Sequence, residues 1–180
     1  MLFYLLNYLD CASRQRKWLH LRGIYTTGEF TALMYAAGID PLKYLDEVPE
    51  GFLSYTTSIK NIEIPTNITS IGERAFYGCS GLTSITIPKS VISICSVAFG
   101  DCTNLTSVTI SEGEGCTSIG GCDYFINNYA FNNCPSLKVV DYEGTRIQWG
   151  SIRNGQFWSR HSGIVKLRCS DGDIRIQSWF

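Results

Sequence analysis

Apolar and polar positions repeat along the middle of this chain with a fixed spacing. One copy ends at Cys79, the next ends 23 residues later at Cys102, and a third ends at Cys134 after 32 residues, nine more than the period. The apolar rows are Ile59/Leu82/Leu105/Leu137, Ile62/Ile85/Val108/Val140 and Ile64/Ile87/Ile110/Tyr142. Further along each copy come Ile68/Val91, Ile71/Ile94/Ile119, Ala75/Ala98/Ala130, Phe76/Phe99/Phe131 and Cys79/Cys102/Cys134. A period of this length predicts a solenoid, in which no copy buries its apolar face alone and stacked copies share one core.

Within a copy, Leu82 to Pro88 is short, rich in β-branched residues and closed by proline, which predicts a strand. Its apolar residues point inward, and Thr83 and Thr86 are expected to point out. Ile94 to Cys102 returns the chain, with Ala98, Phe99 and Cys102 inward at a spacing that suits one short helical or 3₁₀ turn. The row Phe76, Phe99 and Phe131 is expected to form a buried aromatic stack. Two outward columns are expected to follow, Lys60/Thr83/Thr106/Lys138 and Glu63/Thr86/Thr109/Asp141.

The run Ile71-Gly-Glu-Arg-Ala-Phe-Tyr-Gly-Cys79, followed by Leu82-Thr-Ser-Ile-Thr-Ile-Pro88, resembles the BspA-like leucine-rich repeat. That pattern has I-G, then A-F-x-x-C, then L-x-x-I-x-I-P. The resemblance runs from Ile59 to about Tyr142, and the tail with Tyr142, Trp149, Trp158 and Cys169 to Gly172 is similar to the end of such proteins. Cys95 stands where the pattern has glycine and Ser111 where it has proline. The resemblance implies a solenoid for protein or surface recognition without a catalytic site. Family members occur on microbial surfaces and in bacteriophage genomes.

Residues 1–55 are expected to form a helical N-terminal cap. Leu2, Leu5, Leu6 and Leu9 fall on one helix face, Thr26 and Glu29 form a capping-box signature, and Gly38 ends the second helix. Asp40-Pro41 opens a short third helix holding Leu42, Leu45 and Val48. This unit either covers the solenoid end or is itself a partner-binding head. Residues 56–143 are the repeats, with an insertion at about 111–129. Residues 144–180 are a tryptophan-rich C-terminal cap, with a hairpin turning at Ser170-Asp171-Gly172. The fold class expected is α+β.

Composition narrows the functional classes. Fifteen basic and sixteen acidic residues give a formal charge of -1, so no global field draws nucleic acid or an anionic membrane. Eight cysteines suggest disulfides, but Cys79, Cys102 and Cys134 share one inward slot and are expected to be free, buried thiols. The start of the chain lacks the pattern of a secretory signal and no run is long enough to cross a membrane. These features together predict a cytoplasmic protein, in the host cytoplasm if a phage encodes it.

No catalytic, cofactor or metal site is expected. Cys116, Cys122 and His161 have no standard ligand spacing, and His20 and His161 lie near opposite ends of the solenoid. Asp171 and Asp173 flank a turn glycine. Three groups of residues are candidates for partner binding. Tyr124, Phe125, Asn127, Asn128 and Tyr129 give the insertion the composition of a recognition loop, unless its aromatics fold back into the core. Thr86 and Thr109 represent the strand face. Arg14, Arg16 and Lys17, within the cluster up to Arg22, are the positions for phosphate contact. The expected function is non-catalytic protein binding inside the cell, and the resemblance allows a phage-encoded inhibitor of a host defence protein. Other readings are a structural or adhesion subunit of a virion or cell surface, and nucleic-acid binding through the Arg14–Arg22 cluster.

Overall fold

A computed structural model of the chain describes residues 40–113, 125–126, 129–154 and 162–176, together with residues 31, 35, 36 and 38. The alternation of Ile85 and Ile87 with Ser84 and Thr86 makes a strand with one buried and one open face. That strand is β4 (Ser84–Ile87). Its counterparts are β2 (Asn61–Glu63), β6 (Ser107–Ile110) and β8 (Val139–Tyr142), all parallel, with Ile62, Ile85, Val108 and Val140 in register. β10 (Lys166–Cys169) continues this sheet in parallel, and β11 (Gly172–Arg175) folds back antiparallel to it, so the expected hairpin is present. The order of the six-stranded sheet is β11-β10-β8-β6-β4-β2.

The return arms build a second, narrow sheet. It contains β1 (Glu47–Val48), β3 (Ser70–Ile71), β5 (Ser93–Ile94), β7 (Phe125–Ile126) and β9 (Arg153–Asn154), in that order and all parallel. After each short strand the arm turns twice through the left-handed region. Gly51, Arg74, Val97 and Tyr129 have φ of 64°, 54°, 47° and 65°, and Tyr55, Gly78, Asp101 and Asn133 have 61°, 68°, 58° and 54°. These turns point alternate amides at the next coil. Arg74 N–H reaches Ser96 O at 3.2 Å, Phe76 N–H reaches Ala98 O at 2.8 Å, and Gly78 N–H reaches Gly100 O at 2.8 Å. The expected 3₁₀-type turn is met in part: Ala75, Tyr77 and Cys79 N–H bond three residues back, to Gly72, Arg74 and Phe76 O, while the amides between them bond the next coil.

Between the two sheets lies one continuous core. Phe99 is fully buried and stacks on Phe76 at 5.1 Å and on Phe131 at 5.2 Å, with the planes nearly parallel. The cysteine row is buried beside it, and each thiol donates to a carbonyl of the preceding coil. Cys79 bonds Leu53 O at 3.0 Å, Cys102 bonds Phe76 O at 3.1 Å and Cys134 bonds Phe99 O at 3.1 Å. All three are free thiols, as their slot implied. Burial pushes Cys79 and Cys134 up to about 12 and Cys102 further still.

The described residues show one coil more than the sequence pattern did. Gly51, Leu53 and Tyr55 bond to Glu73, Ala75 and Tyr77 as those residues' own arm bonds to the next. Val48, Phe52, Leu53 and Thr56 therefore occupy the slots of Ile71, Ala75, Phe76 and Cys79. A helical cap over residues 1–55 is not supported. Thr31, Tyr35 and Ala36 are helical and Pro41–Tyr44 is a 3₁₀ turn capped by Asp40, but Val48 lies in β1 and the arm after it belongs to the solenoid. The third-copy alignment also changes: β7 pairs Ile94 with Ile126, not with Ile119.

At the other end a helix, α1 (Arg146–Ser151), follows β8 with a complete capping box of Thr145 and Gln148. It buries Trp149 against Tyr142 at 5.3 Å. Tyr142 replaces the isoleucine of this row. Gly144 gives the larger ring its space, since a Cβ there would sit 2.6 Å from it.

Candidate functional site

The strand face of the six-stranded sheet is an array of side chains held at fixed spacing by the ladder beneath. The residues that face out are those between the buried ones, so the columns are Asn61/Ser84/Ser107/Val139/Lys166 and Glu63/Thr86/Thr109/Asp141/Arg168. The expected column through Thr83 and Thr106 lies just before the strands. Its hydroxyls bond between coils, Thr83 Oγ1 to Lys60 O at 3.2 Å and Thr106 Oγ1 to Thr83 O at 3.0 Å. Counting by twos back from the outward Thr86 identifies Ser84 as the outward residue.

One end of this face is hollow. A groove of about 540 Å³ lies over β2 and β4 and the segments that leave β4, β6 and β8. Ser84 and Thr86 lie on its strand side, and Glu63, Lys89, Glu112 and Glu143 bring charge to it. Glu112 accepts from Gln148 Nε2, which ties this carboxylate to α1. Glu112 and Glu143 left little trace in the repeat pattern. The one signal was the replacement of the post-strand proline (Pro65, Pro88) by Ser111 and then Glu143 in later copies.

At the other end of the face the charges are matched. Arg168 bonds Asp141 at 2.8 Å, and Lys166 bonds Asp173 at 2.8 Å. The Lys166 ammonium holds the Asp173 carboxyl below its ordinary range. Asp171 accepts from the Arg146 backbone N–H at 2.8 Å and its guanidinium at 3.4 Å, chiefly the first of which lowers its pKa.

Of the residues expected to bind a partner, Thr86 and Thr109 are neighbours on β4 and β6, exposed and half-buried respectively. Phe125 and Tyr129 do not share a loop. Phe125 is in β7, and Tyr129 is a half-buried turn residue of the same arm. Tyr124, Asn127, Asn128, Arg14, Arg16 and Lys17 lie outside the described residues, as do His20, His161, Cys116 and Cys122. Among the described residues no three His, Cys, Asp or Glu side chains are grouped to hold a metal ion. No helix among them is long and apolar enough to cross a membrane.

Two parallel sheets joined by short arms at a 23-residue period define a leucine-rich-repeat solenoid. Residues 46–147 match the family described as the BspA-type leucine-rich repeat region of six copies, and the chain belongs to that family. Among solved structures it is similar to a leucine-rich cell surface protein of Faecalibacterium prausnitzii A2-165, at 30% identity and a TM-score of 0.50. The match covers 58% of this chain and 25% of the other, so the chain spans about a quarter of that protein's length. No curated protein matches. The expected cytoplasmic location is overturned by the family and by this surface relative. That expectation rested on the free thiols and on the pattern at the start of the chain, and thiols that are buried packing groups do not report on compartment. Neither comparison bears on a phage origin or on inhibition of a host defence protein.

Proposed function

We propose that this chain is a non-catalytic recognition module displayed at a cell surface, binding a protein partner through the strand face of its six-stranded sheet. The observation that carries this reading is the groove over β2 and β4, where a rigid ladder presents Thr86, Glu63 and their neighbours around a concavity of about 540 Å³. Side chains fixed by a sheet lose little further freedom on binding, which favours recognition by shape and polar contacts. Adhesion or capture of a surface partner fits the surface relative better than an internal role does.

The residues that lead into the insertion belong to the same groove. Ser111 and Glu112 line the groove, and the chain between them and β7 carries Tyr124. An aromatic there is an anchor of the type enriched at binding hot spots. Thr86→Arg separates the contributions. It places a long cation on an exposed position, so thermal stability stays within about 0.5 kcal/mol, while binding of a partner at the strand face falls at least tenfold. Normal binding by Thr86→Arg together with loss in Tyr124→Ala would move the site to the insertion, and normal binding by both would overturn the reading.

A further inference from the structure

We propose that the groove receives an extended segment of the partner that carries Lys or Arg, laid across the strands with its basic side chains at Glu63 and Glu143. This rests on the reading of the strand face as the recognition surface.

The argument starts from how the face disposes of its carboxylates. Asp141 and Asp173 each have a cationic partner within the fold, Arg168 and Lys166, at 2.8 Å. Glu63 and Glu143 have no hydrogen bond or ion pair from their side chains among the described residues. Both line the groove, where Glu112 adds a third carboxylate, fixed by Gln148, against one lysine, Lys89. A concave, low-dielectric wall focuses such a field outward and raises the local concentration of cations. Among the described residues the acidic end thus has Lys89 alone as a nearby counter-charge, while the far end of the same face is neutralised by Arg168 and Lys166.

Geometry sets the form of the occupant. Glu63 on β2 and Glu143 just past β8 are three strand spacings apart across the sheet, about 14 Å at ~4.8 Å per strand, and two residues apart along it, which makes about 16 Å in all and leaves about 2 Å for long basic side chains to span. An extended chain carries same-side residues four positions apart over about 13–14 Å. Two basic residues at that separation reach both carboxylates, with Ser84 and Thr86 beneath the chain to bond its polar groups. A nucleic acid would bring phosphates against three carboxylates, which the field opposes.

The probe is a fluorescein-labelled nine-residue peptide of glycine and serine with lysine at its third and seventh places, followed by anisotropy on the full chain. The control peptide has glutamate at those places. Saturable binding of the lysine peptide alone is expected, weakening as NaCl rises from about 50 to 500 mM as exposed ion pairs are screened. Glu63→Gln combined with Glu143→Gln should weaken it at least tenfold. Glu73→Gln, which removes one acidic charge from the Glu73–Arg74 pair on the return arm, should leave it unchanged. No binding of the lysine peptide, equal binding of both peptides, or equal loss in Glu73→Gln overturns the proposal. If the double variant melts early, the single Glu143→Gln change takes its place, and unaltered binding there overturns it too. Loss of the natural partner in Thr86→Arg without binding of the lysine peptide would leave the strand-face reading standing and remove this one.

Discussion

The two faces of each strand obey different rules. Inward, Ile85, Val108 and Val140 differ by at most a methylene, and Phe76, Phe99 and Phe131 do not differ at all. Outward, the same strands carry Glu63, Thr86, Thr109 and Asp141, with a change of charge at two of the three steps. The inner positions are repeated because every coil must fit the same neighbour at crystal-like packing density. The outer positions meet solvent and are free to differ. What repeats therefore describes the fold, and what does not repeat is where the proposed recognition would be encoded.

The sharpest way to break this contrast is at its most repeated residue. Phe99→Ala should cost about 3–5 kcal/mol, since it opens a cavity between two stacked rings that cannot close over it. The urea midpoint should fall accordingly. A loss under about 1 kcal/mol would mean that the row does not carry the core.

The cysteine row gives the same contrast a chemical readout. With Cys79 and Cys134 raised to about 12, their thiolate fraction at pH 8 is only about one in ten thousand. Burial adds a steric barrier. Alkylation of Cys79, Cys102 and Cys134, located by peptide mass, should therefore wait for opening of the solenoid. It should speed up severalfold or more in Phe99→Ala, and half-exposed Cys95 should react first among the described thiols. Rapid native labelling of the row would show that the coils do not close over it.

The inner rows were legible in the sequence because identity at fixed spacing is a strong signal, and the fold followed from them. Two features were lost for a physical reason: the core needs volume in a slot, not a particular residue. In the first coil, Phe52 and Leu53 fill the places of Ala75 and Phe76 with the larger ring one position early, and Thr56 replaces Cys79. In the third copy Thr117-Ser-Ile-Gly120 copies Thr69-Ser-Ile-Gly72 and drew the alignment to Ile119. Register is set instead by the distance to the next buried pair. Ile71 and Ile94 precede Ala75 and Ala98 by four residues, as Ile126 precedes Ala130. The groove was barely legible, because two of its acids, Glu112 and Glu143, fall where the repeat breaks. The cytoplasmic expectation leaned in part on thiols whose role is packing.

A smaller effect is expected where one inner requirement meets an unsuited residue. Val97 holds φ of 47°, a left-handed conformation that costs an L residue about 1–2 kcal/mol and suits a β-branched one least. The equivalent residue in the first coil is Gly51 at 64°. Val97→Gly should relieve that strain, lose part of the gain to the freer unfolded chain, and raise stability by about 0.5 kcal/mol. Destabilisation by 1 kcal/mol or more in a thermal melt would mean that the contacts of this half-buried side chain outweigh its backbone strain.

The smallest effect belongs to the outer, charged side, and pH isolates it. Asp171 has a depressed pKa in the native state, chiefly through its bond from the Arg146 backbone N–H. A carboxyl whose folded pKa lies below its unfolded value of about 3.9 stabilises the fold at pH above that value. The contribution fades as pH falls through the folded pKa, once both states are protonated. Asp171→Asn should then lie slightly below the parent in urea midpoint at pH 7, and the gap should narrow as the pH falls through the folded pKa. Asp173 and other carboxyls also protonate on the way down, but they do so in both proteins and cancel in the difference. Solvent screens an exposed pair strongly, so the gap at pH 7 should be far smaller than the effect of Phe99→Ala. A gap that stays constant through that range would mean that the asparagine acts by shape at the hairpin turn. A gap that rivals Phe99→Ala would erase the distinction between the two faces.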